Sequence, residues 1–132
     1  MPFLDVSSDD IQRGKLLTPD WYRVRIDSVE ESLSKNGDSK NIILKGRILF
    51  NANDGSEEFK DVPIPYWNFN SKAPGFAIGF MNAIGHPVDH AGRIDLSLAE
   101  GKEVDVFITN ELYNNSMVNR VNHRYRAPRS NL

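Results

Sequence analysis

The sequence predicts an all-β fold of five strands, with one helix between the third and the fourth. Three observations carry this: apolar residues alternate with polar ones in several short runs, Asn- and Gly-rich turn signals separate those runs, and a single stretch repeats its apolar residues at helical spacing. The 132 residues, 39% of them hydrophobic, are enough for one domain with its own core and no disulfide or metal staple.

Residues 1–18 mix apolar and acidic groups without a lasting period and read as an N-terminal arm, in which Ser7, Ser8, Asp9 and Asp10 cap one short turn. The domain proper is expected over residues 19–127, followed by a short basic tail at 128–132. In the first strand Tyr22, Val24 and Ile26 alternate with Trp21, Arg23, Arg25 and Asp27, which leaves one apolar face. Asn36-Gly37 then supplies the positive φ angles of a tight reversal.

The second strand, residues 41–50, sets Ile42, Leu44, Ile48 and Phe50 on one side, and Ile43, Lys45, Arg47 and Leu49 on the other. Gly46 interrupts the apolar side, as a strand glycine does where a small sheet bulges or coils sharply. The third strand is expected over residues 57–66, carrying Phe59, Val62, Ile64 and Tyr66. Pro63 and Pro65 remove ladder donors and confine its far end to an edge.

Between residues 73 and 85, Phe76, Ala77, Phe80, Met81, Ala83 and Ile84 recur at helical spacing, with Ser71 as a cap, Pro74 in the first turn and Gly85 at the stop. Leu96, Leu98 and Ala99 suggest a single turn, and Val104, Val106 and Ile108 mark the fourth strand. The fifth, residues 116–126, has two unlike faces. Met117, Asn119, Val121, His123 and Tyr125 share one; Val118, Arg120, Asn122, Arg124 and Arg126 share the other, a row of three arginines.

Charge is distributed unevenly. Residues 1–112 hold 12 Lys and Arg against 18 Asp and Glu, whereas residues 113–132 hold four Arg and no acid, within a net charge of −2. A nucleic-acid partner would meet a local basic face and repulsion elsewhere, so its binding would be salt-sensitive. Nonspecific single-strand binding needs flat π surfaces for bases and cations for phosphates. The cations are Arg23 and Arg25 on the first strand, Lys45 and Arg47 on the second, and Arg120, Arg124 and Arg126 on the last. The rings are Trp21, Tyr113, Tyr125 and the dense run Tyr66, Trp67 and Phe69. The plain alternatives are that the cations line ordinary solvated strand faces and that Trp67 and Phe69 cover the helix end in the core.

Other chemistries find little. Without cysteine there is no disulfide, iron–sulfur cluster, thiolate zinc site or cysteine nucleophile. His86 and His90 are four apart, but Pro87 breaks any helix that would align them, and no metal or other cofactor is expected. Neither a Gly-x-Ser-x-Gly elbow nor a phosphate-cradling glycine loop occurs, and an enzyme is not expected. The opening residues lack a basic signal region and no apolar run approaches the roughly 18 residues of a membrane span, so a cytoplasmic protein is expected.

The order strand, strand, strand, helix, strand, strand is that of the OB fold, a five-stranded barrel. The strings Leu16-Leu17-Thr18-Pro19-Asp20-Trp21-Tyr22-Arg23-Val24, Ser34-Lys35-Asn36-Gly37 and Gly101-Lys102-Glu103-Val104-Asp105-Val106, the last leading into Tyr113, Asn114 and Val118, carry a resemblance to small phage single-stranded DNA-binding proteins. Among them is a group long labelled a domain of unknown function. The resemblance covers most of the chain after residue 15. It implies an OB barrel that coats single-stranded DNA with little sequence preference in phage replication or recombination, in the host cytosol, and passes it to replication or recombination proteins. Many single-stranded DNA-binding proteins end in an acidic recruiting tail, whereas this chain ends in a basic one. The alternative expectation is a β-barrel protein-interaction module of a phage assembly or host-takeover complex. The proline-bearing edge and the N-terminal arm offer two routes to a homo-oligomer.

Overall fold

The computed structural model describes residues 2–128; residues 129–132 of the expected tail lie outside the described residues. The elements follow in the order α1 Ser8–Arg13, β1 Asp20–Leu33, β2 Lys40–Asn51, β3 Asn68–Asn70, α2 Pro74–Ala83, a 3-10 turn Leu96–Ala99, β4 Glu103–Tyr113 and β5 Ser116–Arg126. The five strands form one antiparallel sheet in the order β3-β2-β1-β4-β5. Among the described residues no strand ladder joins β3 to β5, so the sheet is not closed. Among the described residues no helix is long and apolar enough to cross a membrane.

The alternation read in β1 decides the core. Tyr22, Val24 and Ile26 are buried together with Leu44 and Ile48 of β2 and Val104, Val106 and Ile108 of β4. The Tyr22 hydroxyl donates to Thr18 O at 2.6 Å, and burial, reinforced by nearby carboxylates, pushes its pKa up to about 12. On β2 the pattern breaks after Ile48. Arg23 pairs with Phe50 and Val24 with Ile48, so Leu49 is an extra residue that turns Phe50 over to the side of Arg23, whose guanidinium lies 5.1 Å from its ring. Phe50 is therefore not on the core side with Ile48, as simple alternation predicts.

The expected third strand is also corrected. Residues 57–66 do not form a regular strand; they run beside β2 with a single bridge, Arg47 to Pro63, and a few isolated backbone bonds such as Ile48 N to Val62 O and Ile64 N to Gly46 O. Proline lacks the N–H that a continuous ladder requires, and regular pairing begins only at Asn68. The irregular passage shifts the parity. Val62 and Ile64 are buried, Tyr66 is 71% exposed, and Trp67 and Phe69 turn inward.

The helix lies where its periodicity puts it, one residue inside the expected start and two inside the expected end. Ser71 is not its cap: the N-cap is Ala73, without a side-chain bond, and the Ser71 hydroxyl accepts from Lys40 N instead. Phe80 packs edge-on to Trp67 at 5.3 Å and to Tyr125 at 5.5 Å, so α2 fills one end of the space between β3 and β5.

Candidate nucleic-acid interface

The residues singled out above divide among three places. The first is the outward side of β1, β4 and β5. Trp21 lies opposite Phe107 across the β1–β4 ladder, and their rings meet edge to face at 5.5 Å. The Arg126 guanidinium lies 4.2 Å from the Trp21 ring centre; that of Arg124 lies 5.5 Å from Trp21 and 4.9 Å from Phe107. Two arginines two positions apart reach one aromatic pair because β5 bulges. Ile108 pairs with Val121 and Val106 with Tyr125, four residues of β5 spanning two of β4, with His123 at a φ of 44°.

Asp105 anchors this arrangement from below. It is fully buried on the outward parity of β4, bonded to Arg23 Nε at 2.5 Å, with Arg126 Nε 3.6 Å from its other oxygen. That second separation is an ion pair too long for a hydrogen bond. Arg126 Nη2 also donates to Asn53 Oδ1 at 3.2 Å, and Asn53 in turn is tied to Asp20 at 2.6 Å. Arg23 is thus corrected from a solvated groove cation to a buried one, 6% exposed, that holds Asp105. Phe107, Asp105 and Phe50 were missed in the sequence. The first two are legible as the residues that alternate with Val104, Val106 and Ile108; Phe50 is not, because a bulge moves it.

Further along the β1–β2 face, Arg25 and Arg47 both approach Asp27, at 3.2 and 3.6 Å, and Lys45 pairs with Glu30 at 3.2 Å. Arg120 is bonded to Glu111. Of the seven expected cations, Arg124 is the one with no carboxylate partner among the described residues. The row of bare guanidinium groups expected on the last strand is therefore corrected to one unpaired arginine flanked by two ion-paired ones.

The second place is the core, which claims three of the expected stacking rings. Trp67 and Phe69 are 1% and 3% exposed, and Tyr125 stacks on Trp67 at 5.6 Å with its hydroxyl accepting from Trp67 Nε1 at 2.9 Å. Trp67 and Phe69 are closed to a base and cover the helix end, and the half-buried Tyr125 gives one face to Trp67. The Tyr125 hydroxyl, whose pKa burial raises, also meets His123 Nδ1 at 2.6 Å. Burial and then the nearby Arg120 charge lower the His123 pKa, which favours a neutral ring able to accept at Nδ1.

The third place is the open side of the sheet, where β5 faces segment 63–68 across a groove of about 810 Å³. Tyr66, Tyr113 and Arg120 line it, with the two tyrosines well exposed. Lys15 and Leu16 form part of its rim, pinned there by Asn119, which accepts from Leu17 N at 2.9 Å and donates to Lys15 O at 2.8 Å. Among the described residues no cluster of three or more His, Asp or Glu is placed to hold a metal, and His90 faces Asp89. Comparison of the chain with protein-family models and with curated proteins finds no match.

Proposed function

We propose that this chain binds single-stranded DNA with little sequence preference, on the outward side of β1, β4 and β5. The observation that carries the reading is the Trp21–Phe107 pair with Arg124 and Arg126 over its rings. A half-buried indole beside an exposed guanidinium without a carboxylate partner among the described residues offers a base a stacking surface and a phosphate a cation within one nucleotide's reach. In this reading the sheet is an OB-type barrel opened between β3 and β5. The strand order β3-β2-β1-β4-β5 and the position of α2 support that description. Work in phage DNA replication or recombination is the context that the sequence resemblance implies.

Titration with 20- and 40-residue oligo-dT at low salt, followed by tryptophan fluorescence, tests it. Trp67 is buried, so quenching reports on Trp21. Trp21→Ala should weaken binding by about 1–3 kcal/mol, the usual worth of one stacked base. Arg124→Ala should weaken it by a comparable factor, while circular dichroism stays unchanged in both. A flat titration at low salt sinks the proposal. The carboxylates that already pair six of the seven expected cations favour a second reading, a protein-interaction module, and a flat titration would leave it standing.

A further inference from the structure

The groove on the open side of the sheet has an unpaired strand edge for one wall. Asn114 and Asn115, at φ 48° and 65°, make a two-residue turn between β4 and β5, which sets Tyr113 and Ser116 as a hydrogen-bonded pair. By the alternation of an antiparallel ladder, the N–H and C=O groups of Met117, Asn119 and Val121 then point away from β4. Among the described residues no backbone bond joins them to the facing segment 63–68. Pro63, Tyr66 and Met117 give the groove an apolar stretch among polar lining residues such as Asn68 and Asn119, and such an edge is a template for one more strand.

The same chain carries an unpartnered segment of matching chemistry. Residues 2–7 form no helix or strand, yet Phe3, Leu4 and Val6 are 80%, 91% and 64% exposed. Extended, these six residues span roughly 17–20 Å, enough to cover the edge at 117–121, which runs about 13–17 Å. Period two would send Leu4 and Val6 to one side and Asp5 to the other. The charges match as well. With Leu4 and Val6 in the groove, Asp5 would face out towards its rim, where Lys15 has no carboxylate partner among the described residues and Asp5 likewise has no cationic one, Arg120 being occupied by Glu111.

We infer that the N-terminal arm of one copy adds as a strand to the β5 edge of a second copy, and that the exchange is mutual. A second copy is favoured over the chain's own arm by the local geometry. Ser7 and Asp10 cap each other's backbone N–H at 3.1 and 3.0 Å, which fixes where the arm leaves α1, and α1 leads into Gly14, Lys15 and Leu16 at the groove's rim. To enter its own groove the arm would have to double back over that helix. Mutual exchange satisfies both edges with a closed two-fold assembly. This surface is separate from the Trp21–Phe107 face, so its test does not depend on DNA.

Size-exclusion chromatography with light scattering on the full chain, at tens of micromolar, should give twice the mass of one chain. Leu4→Asp together with Val6→Asp should return it to a single chain with an unchanged circular dichroism spectrum, because both side chains lie outside the core. The sequence has no cysteine, so a cross-link is unambiguous. A chain carrying Leu4→Cys, mixed with a chain carrying Met117→Cys and oxidised, should form the mixed disulfide dimer in preference to either like-with-like product. A single-chain mass for the unaltered protein overturns the inference. So does a dimer that survives the two aspartates, or a double-cysteine chain that closes on itself as a monomer.

Discussion

Gly46 lies close against the backbone of β1. A Cβ built there would stand 1.9 Å from Arg25 O and 2.8 Å from Ile64 Cδ1, and the first of these is backbone, which no rotamer change relieves. The position also adjoins the β1 bulge, where Ile26 pairs with Gly46 and Ser28 with Lys45, leaving Asp27 extra. Gly46→Ala should therefore cost about 3 kcal/mol or more, at the upper end of overpacking effects, and urea unfolding should show it as a lower midpoint. The sequence marked this glycine as a break in an apolar face. That the break is required, and by which atoms, depends on a neighbour twenty-one positions earlier in the chain.

β5 is the element whose local geometry matters most. Its bulge places His123 at a positive φ, stacked on Phe76 at 4.4 Å and facing the Tyr125 hydroxyl. Burial lowers the folded-state pKa of His123 below its ordinary 6.5, with Arg120 adding to the effect. The unfolded chain then binds the proton more readily. The contribution is fully present above pH 6.5, declines as pH falls below that value, and levels off beneath the folded pKa. Thermal melts should show a lower Tm at pH 5.5 than at 7.5. His123→Asn, a residue that tolerates positive φ, should narrow that difference. An equal difference in the variant would assign the pH dependence to other groups. Nothing in the alternation of residues 116–126 announced the bulge, because the two extra residues preserve parity: Val121 and Tyr125 point inward with or without it.

Across the whole molecule, the charge asymmetry of the sequence is softened by folding. The acidic part of the chain supplies Asp105 to Arg126 and Glu111 to Arg120, so the basic last strand lies against carboxylates of the strand it pairs with. If DNA binds as proposed, few phosphates are neutralised. For about two or three contacts, the slope of log affinity against log salt should be shallow, about −1.4 to −2.1 for a single strand. Oligo-dT titrations at several salt concentrations measure it directly. A slope several times steeper would mean that the paired arginines and lysines release their carboxylates on binding.

The alternation of Tyr22, Val24 and Ile26, the Val104–Val106–Ile108 set and the helical spacing from Phe76 to Ile84 were enough to specify β1, β4, α2 and much of the core, because burial is periodic and the period is written in the residues; the third strand, which proline displaces from 57–66 to Asn68–Asn70, was not legible in that way. Trp21, Arg124 and Arg126 were legible as outward residues for the same reason. Their convergence on one aromatic pair was not, nor the burial of Arg23, the inward turn of Trp67 or the pairing of the other cations. Those depend on bulges, on proline interrupting a ladder and on which strand lies beside which, and these arise from contacts between residues far apart in the chain. A one-dimensional pattern records which way a side chain points; what waits there to meet it is set when the sheet assembles.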